Sequence, residues 1–361
     1  MGDMDIEEIA AIVERFSAQG LFSGAILVER DGEELYSTAR GMAHRGFRVP
    51  NEVETRFDTA SVTKLFTAAA AFRLIDRGLI ALDERIGDII DLSGTRIPAS
   101  VTLRHCLTHS SGIADDADEE AGEDYEAIWR ERPCYLVRET KDFLPQFAHK
   151  APLFPAGDHV RYNNCAFILA GLALEARSGK GYRQLVADEV FGPAGMERSL
   201  FASRDEADLP DIAEGYATVG GPEGKPLGFR KNIYAFPPVG SPDSGAYTTV
   251  RDLSRFFRAV EGPAFLGAAA RAEFLKALMK AQDLKSGGER RQGYAFEHEY
   301  DSSGSIIRYG KDGVNPGVAA IAMRYPRSRA SSRYSPTRTA TSGASAARSR
   351  RRRIYRQGEK L

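Results

Sequence analysis

Ser61 and Lys64 stand three residues apart at the start of an alanine-rich segment, TASVTKLFTAAAAF. In a helix they would lie one turn apart on one face, so the lysine amine could reach the serine oxygen. A serine hydroxyl becomes a nucleophile when a base removes its proton, and a lysine can act as that base once its pKa of about 10.4 is lowered. The alternative is a helix N-cap followed by a solvated lysine, because SxxK occurs by chance about once in a chain of this length.

Two later segments are candidates for the base and oxyanion donors that a nucleophilic serine requires. RYNNCAF carries Tyr162 and Asn164 immediately before an apolar helical pattern. RYGKDGVNPG carries Lys311 and Gly313 at the end of a strand-like run.

These motifs, SxxK, YxN and [KH]xG in this order, resemble those of the serine β-lactamase and penicillin-binding protein superfamily, particularly its class C β-lactamase, esterase and D-aminopeptidase branch. The segments TLRHCLTHSSGI, FPAGDHVRYNNCAFILAG and DSGAYTTVRDLSRF are also similar to family segments. The likeness covers about residues 5–325. It implies a β-lactamase-like fold and a serine hydrolase that acts on small ester, amide or peptide substrates.

The resemblance also implies a role for each residue of the motifs. An acyl-enzyme would form on Ser61, with Lys64 and Tyr162 exchanging the proton, and which of the two carries it is left open. Lys311 would be the second cation that lowers the pKa of the first lysine, and Asn164 would orient the substrate or the lysine. The resemblance also implies an oxyanion hole formed by the N–H groups of Ser61 and Val314. Gly313, which precedes Val314, belongs to the same substrate-binding or oxyanion group.

Each feature also has a structural interpretation without chemistry. Tyr162 could be a core aromatic with a satisfied hydroxyl, and Lys311 a solvated strand lysine. His105 and His109 lack a third metal ligand and are expected to be structural, the second one bracing a loop as the resemblance implies. Trp129 and the acidic run DDADEEAGED are expected to mark a solvated loop near the cleft.

Asp312 departs from the family pattern, in which the resemblance implies Thr or Ser between the lysine and the glycine. A carboxylate here would repel a carboxylate of the substrate. We therefore expect neutral esters or amides to be preferred, with at most weak β-lactamase activity. A non-catalytic or inactivated penicillin-binding-like protein that keeps the pocket is the alternative function.

Composition excludes several other classes of protein. The 361 residues, 42% hydrophobic and 27% charged, can bury a large core. Apolar runs stay short of the roughly 18 residues of a membrane span, and the acidic, amphipathic N-terminal segment is unlike a signal peptide, so we expect a cytoplasmic protein. Cys106, Cys134 and Cys165 have no CxxC spacing, which predicts buried thiols and neither a disulfide framework nor a zinc site. No metal or organic cofactor is expected, and the oligomeric state is left open.

The order of patterns predicts an α+β fold. SGAILVERDGEELYSTARG predicts a β-hairpin, and RQGYAFEHEY, GSIIRYG and GVAAIAMRY predict late strands. Helices are predicted over about 61–77, around CAFILAGLALEARSG with Gly179 as the stop, at RDLSRFFRAVE, and over AAARAEFLKALMKA. We expect one antiparallel sheet built from both chain ends (about 1–60 and 240–325) and flanked by helices, with a helical insertion lobe (about 61–239) and a cleft between them.

The last segment, 326–361, differs from the domain of residues 1–325. It holds ten Arg, one Lys and one Glu, a net of +10, which leaves about −11 for the rest of the chain. Few large aliphatics, scattered arginines and Pro336 predict that it forms no strand, although the resemblance implies one between the hairpin and GVAAIAMRY. We expect a basic tail that is disordered, or a reading-frame shift near codon 327. An arm for nucleic acid or an acidic partner is the disfavoured alternative.

Overall fold

A computed structural model describes residues 6–206, 209–220, 227–326, 330–336 and 338–339. Its α-helices are α1 (Ile6–Ala18), α2 (Thr63–Asp76), α3 (Leu103–Leu107), α4 (Ile128–Glu131), α5 (Leu144–Phe147), α6 (Cys165–Ser178), α7 (Tyr182–Val186), α8 (Val250–Glu261) and α9 (Ala268–Phe274). Its strands are β1 (Gly24–Arg30), β2 (Glu33–Arg40), β3 (Met42–His44), β4 (Val49–Pro50), β5 (Phe57–Asp58), β6 (Tyr216–Val219), β7 (Gly228–Lys231), β8 (Tyr247–Thr248), β9 (Met279–Asp283), β10 (Glu289–Gln292), β11 (Glu297–Tyr300), β12 (Ile306–Asn315), β13 (Val318–Tyr325), β14 (Ala330–Pro336) and β15 (Arg338–Thr339).

Eight strands form one antiparallel sheet in the order β2-β1-β14-β13-β12-β11-β10-β9. The predicted hairpin is β1 and β2, joined by Asp31 and Gly32 with φ of +52° and +87°, and two such residues suit the twist of a tight hairpin. The remaining strands come from the other end of the chain. The expected α+β fold, with a sheet built from both chain ends, is confirmed.

The prediction that no strand follows β13 is wrong for residues 330–336. β14 pairs with β1 from Gly24↔Pro336 to Arg30↔Ala330, and with β13 from Ile321↔Tyr334 to Tyr325↔Ala330. Strand pairing uses main-chain groups that every residue except proline offers in full, and Pro336 stands at the last position, where a missing N–H disturbs the ladder least. The two ends of the sheet are therefore joined. The arginine-rich residues 340–361 lie outside the described residues, so the tail and frameshift expectations stay predictions.

Two central helices are buried on nearly every side. Apart from Thr63, Lys64 and Thr67, the buried side chains of α2 are Ala, Leu and Phe, and those of α6 are mainly Ala, Leu, Phe and Ile, as expected for helices that are apolar nearly all round. Gly179 ends α6 with φ of +69°, so the predicted stop is confirmed. The region expected to be a helical insertion also carries the β6–β7 hairpin.

The predicted helix over AAARAEFLKALMKA is only half correct. It ends at Phe274, and Met279–Asp283 forms the edge strand β9, paired with β10. Alanine and lysine favour a helix, but pairing with an available sheet edge overrides so weak a preference.

The predicted buried thiols are confirmed, since Cys106, Cys134 and Cys165 are unpaired and buried. Within the described ranges, every helix is too short or too polar to cross a membrane.

Candidate active site

Ser61 lies in a short turn between β5 and α2. The turn is a 3-10 helix, Ala60–Val62, in which Ala60 has φ of +44°, a left-handed conformation that costs a non-glycine residue roughly 1–2 kcal/mol. The Asp58 carboxylate accepts a hydrogen bond from the Ala60 N–H at 2.8 Å and so helps to hold it. The turn places Ser61, half-buried, where the N-terminus of α2 favours negative charge.

Two of the predicted side chains, Lys64 and Tyr162, meet at the Ser61 hydroxyl. Lys64 Nζ donates a hydrogen bond to Ser61 Oγ at 2.9 Å, and Tyr162 Oη lies 2.6 Å from the same oxygen. Lys64 Nζ also donates to Asn164 Oδ1 at 2.8 Å and to the main-chain oxygen of Asp243 at 2.7 Å. The ammonium protons are thus all used, and the serine oxygen lies between two groups that can exchange a proton with it.

The Lys64 amine is fully buried. Burial lowers its pKa to about 8; the Asp243 carboxylate opposes this shift, and the Lys311 ammonium adds to it. The Tyr162 ring lies close to both ammonium groups, 5.1 Å from Lys64 Nζ and 5.0 Å from Lys311 Nζ. Near pH 8 a large fraction of Lys64 is therefore neutral and able to accept a proton.

The Asp115 carboxylate anchors the segment that carries Tyr162 and Asn164. It accepts hydrogen bonds from the Asn164 N–H at 2.9 Å and the Cys165 N–H at 2.9 Å. These donors belong to the N-terminus of α6, which has no partner for them within the helix. Asp115 thereby fixes where Asn164 enters the site, and burial raises the pKa of this carboxyl to about 6.

His109 supports the same segment from the other side. Its Nδ1 accepts a hydrogen bond from the Asn163 N–H at 3.1 Å, and its ring packs 4.6 Å from that of Tyr162. Burial lowers the pKa of His109 well below its usual value, and both site lysines add to this. His105 instead accepts from the Thr102 N–H at 3.2 Å and caps α3, so both histidines have the structural environment predicted for them.

The third motif, Lys311-Asp312-Gly313, lies on strand β12 where β12 no longer pairs with β11. Its pairing with β11 ends at Gly310↔Glu297, and beyond that point its main chain faces the Ser61 turn. Gly313 is packed there so closely that a Cβ would lie 2.5 Å from the Ser61 nitrogen. Val314 follows and is 46% exposed at this edge, which keeps it a candidate for the predicted oxyanion hole.

Lys311 is buried beneath the site and is not a solvated strand lysine. Its side chain is 0% exposed, and its Nζ forms an ion pair with Glu297 Oε1 on β11. Asp312 Oδ1 lies 3.8 Å from the same nitrogen.

A sequence model of the family described as Beta-lactamase matches residues 9–353. The chain belongs to the beta-lactamase family. The match extends from within α1 to beyond the last strand and contains the residues gathered at Ser61.

Individual relatives of this beta-lactamase family member carry several names. A D-aminopeptidase of Cereibacter sphaeroides is 32% identical over 200 residues, which cover 55% of this chain and 37% of the relative. Esterase EstB of Burkholderia gladioli is 31% identical over 56% of this chain and 54% of its own length. The chain thus spans about half or less of these two relatives. The solved penicillin-binding protein of Bacillus halodurans is 31% identical, with a TM-score of 0.82 over 95% of this chain and 99% of that one.

The prediction of a solvated acidic loop is wrong for the start of that run and for Trp129. Asp115, Asp116 and Trp129 are at most 8% exposed. The start of the run turns inward to the N-terminus of α6, and Trp129 packs in the hydrophobic core. Glu119 and Glu120, further along the run, are exposed as predicted.

Asp115, Asp116 and Cys165 are the described side chains grouped closely enough to share a metal ion, with ligand atoms within 4.8 Å of one another. Both oxygens of Asp115 already accept main-chain N–H bonds. Burial raises the pKa of Asp116 well above its usual value, and the neighbouring Asp115 carboxylate adds to this. One proton shared between the two carboxyl groups relieves the repulsion between them. The expectation of no metal stays a prediction.

Sequence reasoning missed Asp115, Asp243 and Glu297. Asp115 opens the acidic run, and Asp243 opens the segment DSGAYTTV that resembles the family, so both had a signal. Glu297 had none, because its partner Lys311 is set by strand register.

Proposed function

We propose that this chain is a serine hydrolase that cleaves ester or amide bonds through an acyl-enzyme on Ser61. The observation that carries the proposal is the contact of Ser61 Oγ with both Lys64 Nζ, at 2.9 Å, and Tyr162 Oη, at 2.6 Å. A buried lysine whose pKa is about 8 can be neutral at the pH of the reaction.

The proposed reaction has two halves, acylation and deacylation, and in each half one proton passes through the pair of Lys64 and Tyr162. Neutral Lys64, with Tyr162 as its relay, takes the Ser61 proton while Oγ bonds to the carbonyl carbon. Tyr162 returns a proton to the leaving alcohol or amine as the bond to it breaks, which leaves an acyl ester on Ser61. Water then attacks this ester, gives its proton to the same pair, and releases the acid as Ser61 regains its proton.

The other residues hold the reactants in place. Asn164 Oδ1 accepts a hydrogen bond from Lys64 and keeps it aligned. The N–H groups of Ser61 and Val314 donate hydrogen bonds to the carbonyl oxygen of the substrate. Burial keeps the pKa of Lys64 low, and the Lys311 ammonium adds to this effect. The protein needs no metal or organic cofactor for these steps.

The relatives named D-aminopeptidase and esterase support ester and amide bonds as the targets. Hydrolysis of short p-nitrophenyl esters and of D-amino acid p-nitroanilides tests this. We expect turnover that Ser61→Ala abolishes and Ser93→Ala, at an exposed loop serine, leaves unchanged. Turnover that survives Ser61→Ala in a folded protein would overturn the proposal.

A further inference from the structure

The environment of Lys311 determines which charges the cleft can bind. Its ammonium lies two residues from Gly313, the residue packed against Ser61, so an exposed amine here would attract a substrate anion. Instead, the side chain is 0% exposed and forms an ion pair with Glu297. A buried ammonium committed to an internal carboxylate has no surface left for a substrate carboxylate.

Glu297 is built into this position. It is the first residue of β11 and lies opposite Gly310, the last residue of β12 that pairs with β11. Its side chain is 11% exposed, and its second oxygen lies 3.4 Å from Arg290 Nη1. The carboxylate is thus held between two cations, and the fold keeps it against Lys311.

Further acidic side chains lie close to Lys311 or to the segment that carries Asn164. Asp312 Oδ1 lies 3.8 Å from Lys311 Nζ, with its side chain 15% exposed. Exposed Glu119 accepts a hydrogen bond from Asn164 Nδ2 at 3.2 Å. Asp115, Asp116 and Asp243 are buried behind the same segment. With Glu297 included, these are six acids. Even with one proton shared by Asp115 and Asp116, their negative charges outnumber the two site lysines.

We propose that Glu297 is a specificity-determining residue that, together with Asp312, excludes carboxylate-bearing substrates from this cleft. Glu297 holds Lys311 inside the protein, and Asp312 repels an anion that approaches the β12 edge. The substrates are neutral or ammonium-bearing esters and amides. This inference rests on the proposed hydrolase function and names its substrate class.

Two esters of equal shape test the proposal: 3-carbamoylphenyl acetate, which is neutral, and 3-carboxyphenyl acetate, which carries a charge. We expect the wild-type kcat/KM to favour the neutral ester by at least about tenfold. Glu297→Gln should reduce that preference about tenfold, because Lys311 then lacks its partner. Glu289→Gln is the matched control. It removes a charge from the neighbouring strand β10, where Glu289 binds Arg291, and should keep the preference.

Asp312→Asn provides a second variant at the strand edge and should also reduce the preference, so the proposal does not depend on the folding of one mutant. Calorimetric binding of both esters to Ser61→Ala gives the same comparison without chemistry. If the wild type turns over neither ester, the hydrolase function fails, while the binding ratio still decides the charge selectivity. Equal binding of the two esters, or an unchanged ratio in both variants, would overturn the role of Glu297 and Asp312.

Discussion

Gly313 lies against the main chain of Ser61 with no room for a side chain between them. A Cβ on Gly313 would come within 2.5 Å of both the Ser61 nitrogen and the Thr59 oxygen. These are backbone atoms of a turn whose Thr59 N–H donates a hydrogen bond to the Ala246 oxygen, just before β8, so they cannot move aside cheaply. The edge of β12 and Ser61 are therefore positioned by direct backbone contact.

Gly313→Ala should separate this edge from Ser61 and slow acylation. A displacement of about 1 Å at a reacting centre costs on the order of 100-fold in rate. The rate of fluorophosphonate labelling measures the loss. Gly87→Ala is the control, because a Cβ there meets nothing within 4 Å. A labelling rate for Gly313→Ala equal to that of the control would show that the contact is not needed.

The pH dependence of acylation should follow Lys64. Its pKa is about 8, lowered mainly by burial, and in the proposed mechanism the neutral amine accepts the Ser61 proton. The rate of labelling should therefore rise with pH through about 8 and level off above it. Lys64→Arg, which stays protonated, should be nearly inactive at every pH. A wild-type rate that is flat from pH 6 to 9 would contradict this assignment.

Asp115 should matter for stability as well as for the site. Asp115→Ala leaves the N–H groups of Asn164 and Cys165 buried without their acceptor, which costs about 1–3 kcal/mol of unfolding free energy. Urea unfolding measures the loss, and slower labelling should accompany it as Asn164 shifts. Asp158→Ala, at a carboxyl that is 62% exposed, should change stability by less than about 0.5 kcal/mol. Equal losses in the two variants would rule out the anchoring role.

The residues around Ser61 could be predicted from the sequence because each belongs to a short motif. Ser61 and Lys64 are linked by helical spacing, while Tyr162, Asn164, Lys311 and Gly313 are recognised by resemblance. Nothing in the local sequence shows the left-handed φ of Ala60, which the surrounding contacts impose on an ordinary residue.

The pairing of Lys311 with Glu297 depends on the register between β11 and β12, including a bulge between Glu299 and Tyr300. Alternation of polar and apolar residues does not specify such a shift. β14 was missed for a related reason. Its place is set by main-chain pairing with β1 and β13, and composition alone argued against it.

Mass spectrometry of the protein after fluorophosphonate treatment tests the central claim most directly. We predict a single adduct on the peptide that contains Ser61, no adduct in the folded Ser61→Ala variant, and a labelling rate that falls when Lys64 is replaced. An adduct on another serine, or an unmodified Ser61 in the folded wild-type protein, would contradict the account.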